Sequence, residues 1–140
     1  MDAFRRRLAR EYPGFRLSDD SGRNREAALQ VARYLGGERM SFDLLLDLRG
    51  SAFRRRVLRA VGMIPYGRTA SYGEIARRAG CPGGARAVGQ AVSANPLPLV
   101  IPCHRVVGAN GSLVGFGLGL EMKRTLLDLE QSKRRSATRL

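Results

Sequence analysis

Cysteine and histidine are scarce in this 140-residue sequence, which contains two cysteines and one histidine. A structural zinc site takes four ligands, drawn mostly from these two residue types. Three such residues cannot complete a four-ligand site within one chain. We therefore expect no structural metal site.

Long hydrophobic runs are also lacking. A membrane-spanning helix needs roughly 20 apolar residues, and no stretch approaching that length is present. The opening residues Met1 to Arg7 lack the apolar core of a secretion signal. We expect no membrane association and a cytoplasmic location.

Acidic residues are few, because 12 Asp and Glu face 25 Lys and Arg, which leaves a formal charge of +13. Such a surface attracts polyanions over long range, and nucleic acid is the first candidate. A basic protein with a merely solvated surface, or one drawn to anionic membrane, has the same composition. Charge alone does not decide between these alternatives.

The first 49 residues carry weak signals. Phe4 and Leu8 are spaced as on one helix face, and the apolar residues between Asn24 and Leu35 predict a second helix that ends at Gly36. Alternation of apolar and polar residues over Leu44 to Leu48 predicts a strand. We interpret residues 1–49 as a reduced N-terminal α/β region.

Residues 50–130 carry stronger local signals. Ser51 is a helix N-cap, and Ser71 with Glu74 forms a capping box. A glycine-rich turn over residues 80–84 separates the helix that begins at Ser71 from the next helix, predicted over residues 85–94. Helix, tight turn and helix is the plan of a helix-turn-helix. The helix over residues 85–94 is built almost entirely of small residues. Such a helix suits either close approach to a narrow groove or tight packing against another helix.

The segment from Asn95 to Val107 reads N-P-L-P-L-V-I-P-C-H-R-V-V and places Cys103 beside the only histidine, His104. A thiol is a strong nucleophile as thiolate, and an imidazole acting directly or through water can remove its proton. The three prolines favour an extended approach to Cys103. A buried structural cysteine is the alternative.

The remainder of the chain predicts a hairpin and a final helix. Asn110-Gly111 is a favoured hairpin turn between residues 106–107 and 113–114. A glycine-rich loop over residues 115–119 leads to a helix that ends at Glu130. We expect residues 131–140 to be a basic, disordered tail.

Four segments in one order resemble the O6-alkylguanine-DNA alkyltransferases. They are Ser71-Tyr72, A-R-A-V-G at residues 85–89, P-C-H-R-V at residues 102–106 and G-L-E-x-K-R-x-L-L-x-x-E at residues 119–130. The resemblance extends from about Phe42 to Glu130. It implies an α+β fold with a C-terminal winged-helix-like helix-turn-helix domain that carries the acceptor cysteine.

The resemblance also implies an activity, that of a methylated-DNA–[protein]-cysteine S-methyltransferase. Such a protein moves a methyl or other small alkyl group from O6 of guanine, less readily from O4 of thymine, onto its own cysteine. No cofactor is implied, and each protein molecule is spent after one event. A disulfide between Cys81 and Cys103 would consume that cysteine, so we expect free thiols.

Catalytic roles carried over from the family fall on four residues. Cys103 is the acceptor, and His104 withdraws the thiol proton through a water molecule. Glu130 orients the imidazole. Asn95 braces the junction between the cysteine segment and the helix over residues 85–94, which is the recognition helix of the family.

DNA-binding roles fall on Tyr72, which contacts the phosphate 3′ to the target, and on Arg86, which fills the stack vacated by the flipped nucleotide. The small residues Ala87, Gly89 and Ser93 let the recognition helix enter the minor groove. Val106, Phe116 and Gly117 are expected in the alkylguanine pocket, where relatives usually have Tyr in place of Phe116.

The expected partner is double-stranded DNA containing O6-alkylguanine, bound by a monomer. Three rivals remain. Alkyltransferase-like damage sensors lack the acceptor cysteine, which Cys103 argues against. A helix-turn-helix transcription factor needs long side chains to read base edges, and the helix over residues 85–94 has few such side chains. A Cys-His hydrolase would show turnover.

Overall fold

The computed structural model describes residues 2–138, with side chains described from Arg5 to Ser136. Six α-helices, two short strands and one 3₁₀ turn are present in this range. In chain order they are α1 (Asp2–Glu11), α2 (Arg25–Leu35), α3 (Ala52–Gly62), β1 (Ala70–Ser71), α4 (Tyr72–Arg78), α5 (Ala85–Ser93), the 3₁₀ turn (Cys103–Arg105), β2 (Val106–Val107) and α6 (Leu120–Thr138). None of these helices is both long and apolar enough to cross a membrane.

The hydrophobic core lies between α3, α4 and α5, which pack on one another. Each helix has an apolar face, and burial of these faces is the main stabilising contribution. The fully buried core side chains include Val57, Val61, Ile75 and Val88. Strands β1 and β2 pair in parallel beside this core, with Ala70 opposite Val106. The expected α+β class is confirmed.

Local capping signals predicted two helix starts correctly. The Ser51 hydroxyl accepts a hydrogen bond from the Arg54 N–H at 3.1 Å and begins α3. At α4 the Ser71 hydroxyl accepts from the Glu74 N–H at 3.1 Å, and the Glu74 carboxylate accepts from the Ser71 N–H at 3.3 Å. Both ends of the capping box are therefore formed.

The predicted strand over Leu44 to Leu48 is wrong, because this segment has no regular secondary structure. It follows an anchor in which Gln30 exchanges two hydrogen bonds with the backbone of Asp43, at 2.9 and 3.1 Å. Beyond that anchor the side chain of Leu45 is fully exposed. A strand requires a paired neighbour, and no strand within residues 2–138 pairs with this segment.

The predicted hairpin is also wrong in its pairing. Val106 and Val107 form β2, but their partner is β1 and the pairing is parallel. The turn itself is present: the Gly108 N–H donates to the Ser112 carbonyl at 2.8 Å, and Gly111 has a φ of +81°. β2 pairs with β1 beside the buried core, whereas residues 113–114 have no regular secondary structure.

The approach to Cys103 is a turn and not an extended segment. The Ile101 N–H donates to the Leu97 carbonyl at 2.9 Å, and Leu99 has a φ of +75°. Cys103 begins the 3₁₀ turn. The prolines restrict only their own backbone and that of the preceding residue. The hydrogen bonds of the Asn95 side chain set the path of the backbone between the prolines.

The final helix runs eight residues beyond Glu130, so the expected disordered tail is wrong as far as Thr138. Residues 139 and 140 lie outside the described residues. Two side chains attach the extension to the turn before β1: Gln131 Nε2 donates to the Gly67 carbonyl at 2.9 Å, and Arg134 Nη1 reaches it at 3.5 Å. Gln131 to Thr138 contains no glycine or proline to end the helix.

Candidate active site

Cys103 lines a cavity of about 290 Å³ at the end of α5. Its side chain is almost fully buried, and burial raises the pKa of the thiol. The Asn95 amide and the Lys123 ammonium act in the opposite direction and lower this pKa. A thiol whose pKa is raised stays protonated near neutral pH, so nucleophilic chemistry at Cys103 requires a base.

Asn95 lies between α5 and the cysteine turn, where the family resemblance puts its bracing residue. Its amide nitrogen donates to the Ile101 carbonyl at 2.9 Å, and its oxygen accepts from the Leu97 N–H at 3.0 Å. One side chain therefore closes both ends of the turn that delivers Cys103. These two bonds account for the departure from extended geometry.

His104 and Glu130 form a fully buried pair. The distance from His104 Nε2 to Glu130 Oε2 is 2.6 Å. A carboxylate accepts hydrogen bonds only, so Nε2 carries the proton of the neutral ring and Nδ1 is a free acceptor. Nδ1 is buried and has no hydrogen-bond partner among the described residues. An acceptor of this kind can take a proton from a nearby donor.

Glu130 is held by several donors besides His104. Arg105 Nε donates to Oε1 at 2.8 Å, Arg105 Nη2 to Oε2 at 3.0 Å, the Gly67 N–H to Oε1 at 3.0 Å and the Tyr34 hydroxyl to Oε2 at 2.5 Å. Burial by itself raises the pKa of Glu130, but hydrogen bonds from His104, Arg105 and Tyr34 outweigh it and lower the pKa to about 2. Glu130 is therefore an anion that orients the ring and does not compete for its proton.

Three of the residues at this site were not predicted from the sequence. Tyr34 comes from α2, and Arg105 also donates to the Ile64 carbonyl at 2.7 Å. Lys123 is fully buried and donates to the carbonyls of Val114 and Gly115, so it holds the loop before α6. A charged residue inside an apolar segment is a sequence signal for a buried, paired charge. Of these three residues, only Arg105 shows that signal.

The expected DNA-binding residues lie on and beside one face of α5. Arg86, Ala87 and Ser93 are exposed on that helix, and Gly89 is partly exposed. A Cβ at Gly89 would lie 4.0 Å from the ring of Tyr72, whose hydroxyl donates to the Val114 carbonyl at 2.9 Å. The structure thus brings Tyr72 against the small-residue face.

The cavity at Cys103 contains some of the expected pocket residues. Phe116 and Gly117 line it, together with Arg7 and Leu8 of α1. Val106 is not among the lining residues; its side chain is fully buried in the core, where β2 pairs with β1.

The family model for the 6-O-methylguanine DNA methyltransferase DNA binding domain matches residues 52–132. A Mycolicibacterium paratuberculosis protein named methylated-DNA–protein-cysteine methyltransferase is 58% identical over 105 residues, which are 75% of this chain and 64% of that protein. The chain thus spans slightly less than two thirds of the length of this curated relative.

Solved structures agree with the sequence match. Mycobacterium tuberculosis OGT in complex with DNA has a TM-score of 0.76 at 52% identity, covering 78% of this chain and 68% of that one. S. pombe Atl1, in complex with damaged DNA containing O6-carboxymethylguanine, has a TM-score of 0.50 at 34% identity, covering 62% and 80%. The matched segment holds Cys103, His104 and Glu130. The chain therefore belongs to the 6-O-methylguanine DNA methyltransferase family.

Proposed function

We propose that this protein repairs DNA by moving an alkyl group from O6 of guanine, less readily from O4 of thymine, onto Cys103. The observation that carries the proposal is a thiol in a cavity beside a buried His104–Glu130 pair whose Nδ1 is free. Family membership and the similarity to proteins bound to DNA support it. We place both DNA binding and alkyl transfer in residues 50–130, with residues 1–49 as a supporting region.

The proposed reaction begins with the thiol proton of Cys103, which passes through a water molecule to Nδ1 of His104. Glu130 holds the Nε2–H and stabilises the ring when it is charged. The thiolate then attacks the alkyl carbon, so that an S–C bond forms as the C–O6 bond breaks. The electron pair of that bond leaves with the guanine, which takes up a proton. A thioether is a poor leaving group, so Cys103 is not regenerated.

The lesion must leave the duplex to reach a cavity this deep in the protein. The small-residue face of α5 suits the minor groove, because small side chains let the helix backbone approach closely. Exposed Arg86 near the start of α5 is suited to fill the vacated stack, and Tyr72 to press on the adjacent phosphate. A charge of +13 favours binding through phosphates. We propose that one monomer acts on one lesion.

Intact mass spectrometry tests the proposed function. After incubation with duplex DNA containing O6-methylguanine, each protein molecule should gain one methyl group in place of one proton. The yield should stop at one event per chain when DNA is in excess. Binding without a mass change would indicate a damage sensor, and turnover beyond one event would indicate a hydrolase.

Replacement of Arg86 should separate DNA recognition from chemistry. Arg86→Ala should slow repair of duplex DNA about tenfold or more, since filling the vacated stack recovers part of the few kcal/mol that extrusion costs. Reaction with free O6-benzylguanine needs no extrusion, so its rate should change less than about twofold. A tenfold change in rate corresponds to about 1.4 kcal/mol of barrier height, and a twofold change to a small fraction of that. Rates on both substrates would be measured in single-turnover assays.

Arg59→Ala is the matched control, because it removes the same charge from an exposed position on α3. It should leave both rates near those of the unsubstituted protein. Equal losses on both substrates in Arg86→Ala would instead show that Arg86 supports the fold.

A further inference from the structure

Tyr34 is a fully buried tyrosine on α2, outside the segment that the family model matches. Its ring is surrounded by aromatic neighbours. The ring centroids of Phe42, Tyr66 and His104 lie 5.4, 6.1 and 6.3 Å away. Such packing leaves few alternative rotamers, so the hydroxyl is held in one place.

The Tyr34 hydroxyl donates to Glu130 Oε2 at 2.5 Å and lies 3.2 Å from His104 Nε2. Burial raises the pKa of Tyr34, and the hydrogen bond to the Glu130 carboxylate raises it further. The hydroxyl therefore keeps its proton across the pH range in which proteins are folded. Since Nε2 also donates to Oε2, two donors converge on one oxygen, and the Tyr34 oxygen can accept only a weaker share of the Nε2–H at 3.2 Å.

Convergence of two donors fixes the Glu130 carboxylate. A carboxylate rotates easily about its last side-chain bond, and the Tyr34 hydroxyl holds Oε2 where the Nε2–H of His104 meets it.

We propose that Tyr34 is a positioning residue of the Cys103–His104–Glu130 relay, aligning the Glu130 carboxylate with the Nε2–H of His104. The inference rests on the proposed function, and it makes the relay depend on residues before position 50. Tyr34 does not contact the reacting atoms and acts through Glu130. Residues 1–49 would then contribute to the chemistry in addition to supporting the fold.

Removal of the hydroxyl alone tests this proposal. Tyr34→Phe should slow alkyl transfer from free O6-benzylguanine about tenfold at neutral pH, as expected for one lost hydrogen bond to a charged group. The loss should fall on the maximal single-turnover rate and leave the O6-benzylguanine concentration for half-maximal rate nearly unchanged, because Tyr34 does not line the cavity. A damaged fold would also weaken binding of O6-benzylguanine.

Tyr66→Phe is the matched control. The Tyr66 hydroxyl is buried in the same aromatic group but has no hydrogen-bond partner among the described residues. Its ring stays beside the Arg105 guanidinium, 5.6 Å from the centroid, in either variant. Tyr66→Phe should change the rate less than about twofold, which corresponds to a free energy well below that of one hydrogen bond.

The single histidine allows an independent measurement. In a ¹⁵N-histidine spectrum of the unsubstituted protein, Nε2 should carry the proton and Nδ1 should not. Tyr34→Phe should change the Nε2 shift more than Tyr66→Phe does. This spectrum needs no alkylated substrate, and the part from the unsubstituted protein needs no variant.

Two results would overturn the positioning role: a proton on Nδ1 in the unsubstituted protein, or equal behaviour of the two variants in both the rate and the spectrum. Failure of the proposed function looks different. The unsubstituted protein would then take no alkyl group, while the spectrum would still report whether Tyr34 acts on His104.

Discussion

Cys103→Ser should abolish alkyl transfer, with a loss of at least about 10³-fold, whereas Cys81→Ser should retain it within about tenfold. A serine hydroxyl at Cys103 keeps the size of the side chain but is a weak nucleophile at neutral pH, even beside a base. The cavity and the His104–Glu130 pair would remain. A tenfold limit for Cys81 corresponds to about 1.4 kcal/mol of transition-state stabilisation.

Cys81 is the matched control because it is the other thiol of the chain and is only partly buried. It lies in the turn between α4 and α5, where its backbone N–H donates to the Ala76 carbonyl at 2.8 Å. Serine preserves that bond. Peptide mapping after reaction with methylated DNA should put the methyl group on the peptide that contains Cys103. A methyl group on Cys81, or a fully active Cys103→Ser protein, would contradict the assignment.

Glu130→Gln should destabilise the fold by about 3–5 kcal/mol, the usual cost of leaving one member of a buried ion pair uncompensated. Arg105 is the residue left uncompensated, because its guanidinium is buried against Glu130. Urea unfolding at neutral pH measures this loss. Asp128→Asn, which removes an exposed carboxylate from the same helix, should change the stability by less than about 0.5 kcal/mol.

The pH dependence of this difference has a defined sign. Folding lowers the pKa of Glu130 from its ordinary value of 4.5 to about 2. A carboxyl group with a lowered pKa contributes stability that is complete above its unfolded-state pKa and is lost as the pH falls toward the folded-state value. The gap between Glu130→Gln and the unsubstituted protein should therefore be largest above pH 4.5 and shrink towards pH 2. A gap that grows on acidification would contradict the role of the Glu130 charge.

Alkyl transfer should fall as well in Glu130→Gln, by about 10³-fold or more, because the amide can donate to Nε2 and favour the wrong tautomer of His104. In that tautomer the proton sits on Nδ1, and the thiol proton has no acceptor. Rates with free O6-benzylguanine at a temperature well below unfolding separate this effect from instability. An unchanged rate would show that Glu130 serves the fold alone.

Local chemistry in the sequence determined the family and several elements. The N-caps Ser51 and Ser71 are formed as predicted, because a cap depends on residues three positions apart. The two family motifs at residues 102–106 and 119–130 predicted Cys103, His104 and Glu130 as neighbours, through resemblance and not through physics. Of these, the pairing of His104 with Glu130 is observed directly at 2.6 Å.

Several predictions that needed a partner from elsewhere in the chain were wrong. Alternation over Leu44 to Leu48 indicated a strand, yet strand formation depends on a neighbour that the pattern does not specify. Asn110-Gly111 correctly indicated a turn, but β2 pairs with β1, some 36 residues earlier, which Ala70↔Val106 shows. The tail was expected to be disordered from its composition, whereas contacts with Gly67 support a helix as far as Thr138.

The sequence by itself determined the family and where the capped helices begin. Only the tertiary structure decided what surrounds the family motifs. Tyr34 reaches Glu130 across 96 positions of sequence, and Gly67 reaches it across 63. Such convergence arises because a buried carboxylate must be satisfied by whichever donors the packed core brings to it, and no local pattern in the chain records which donors those are.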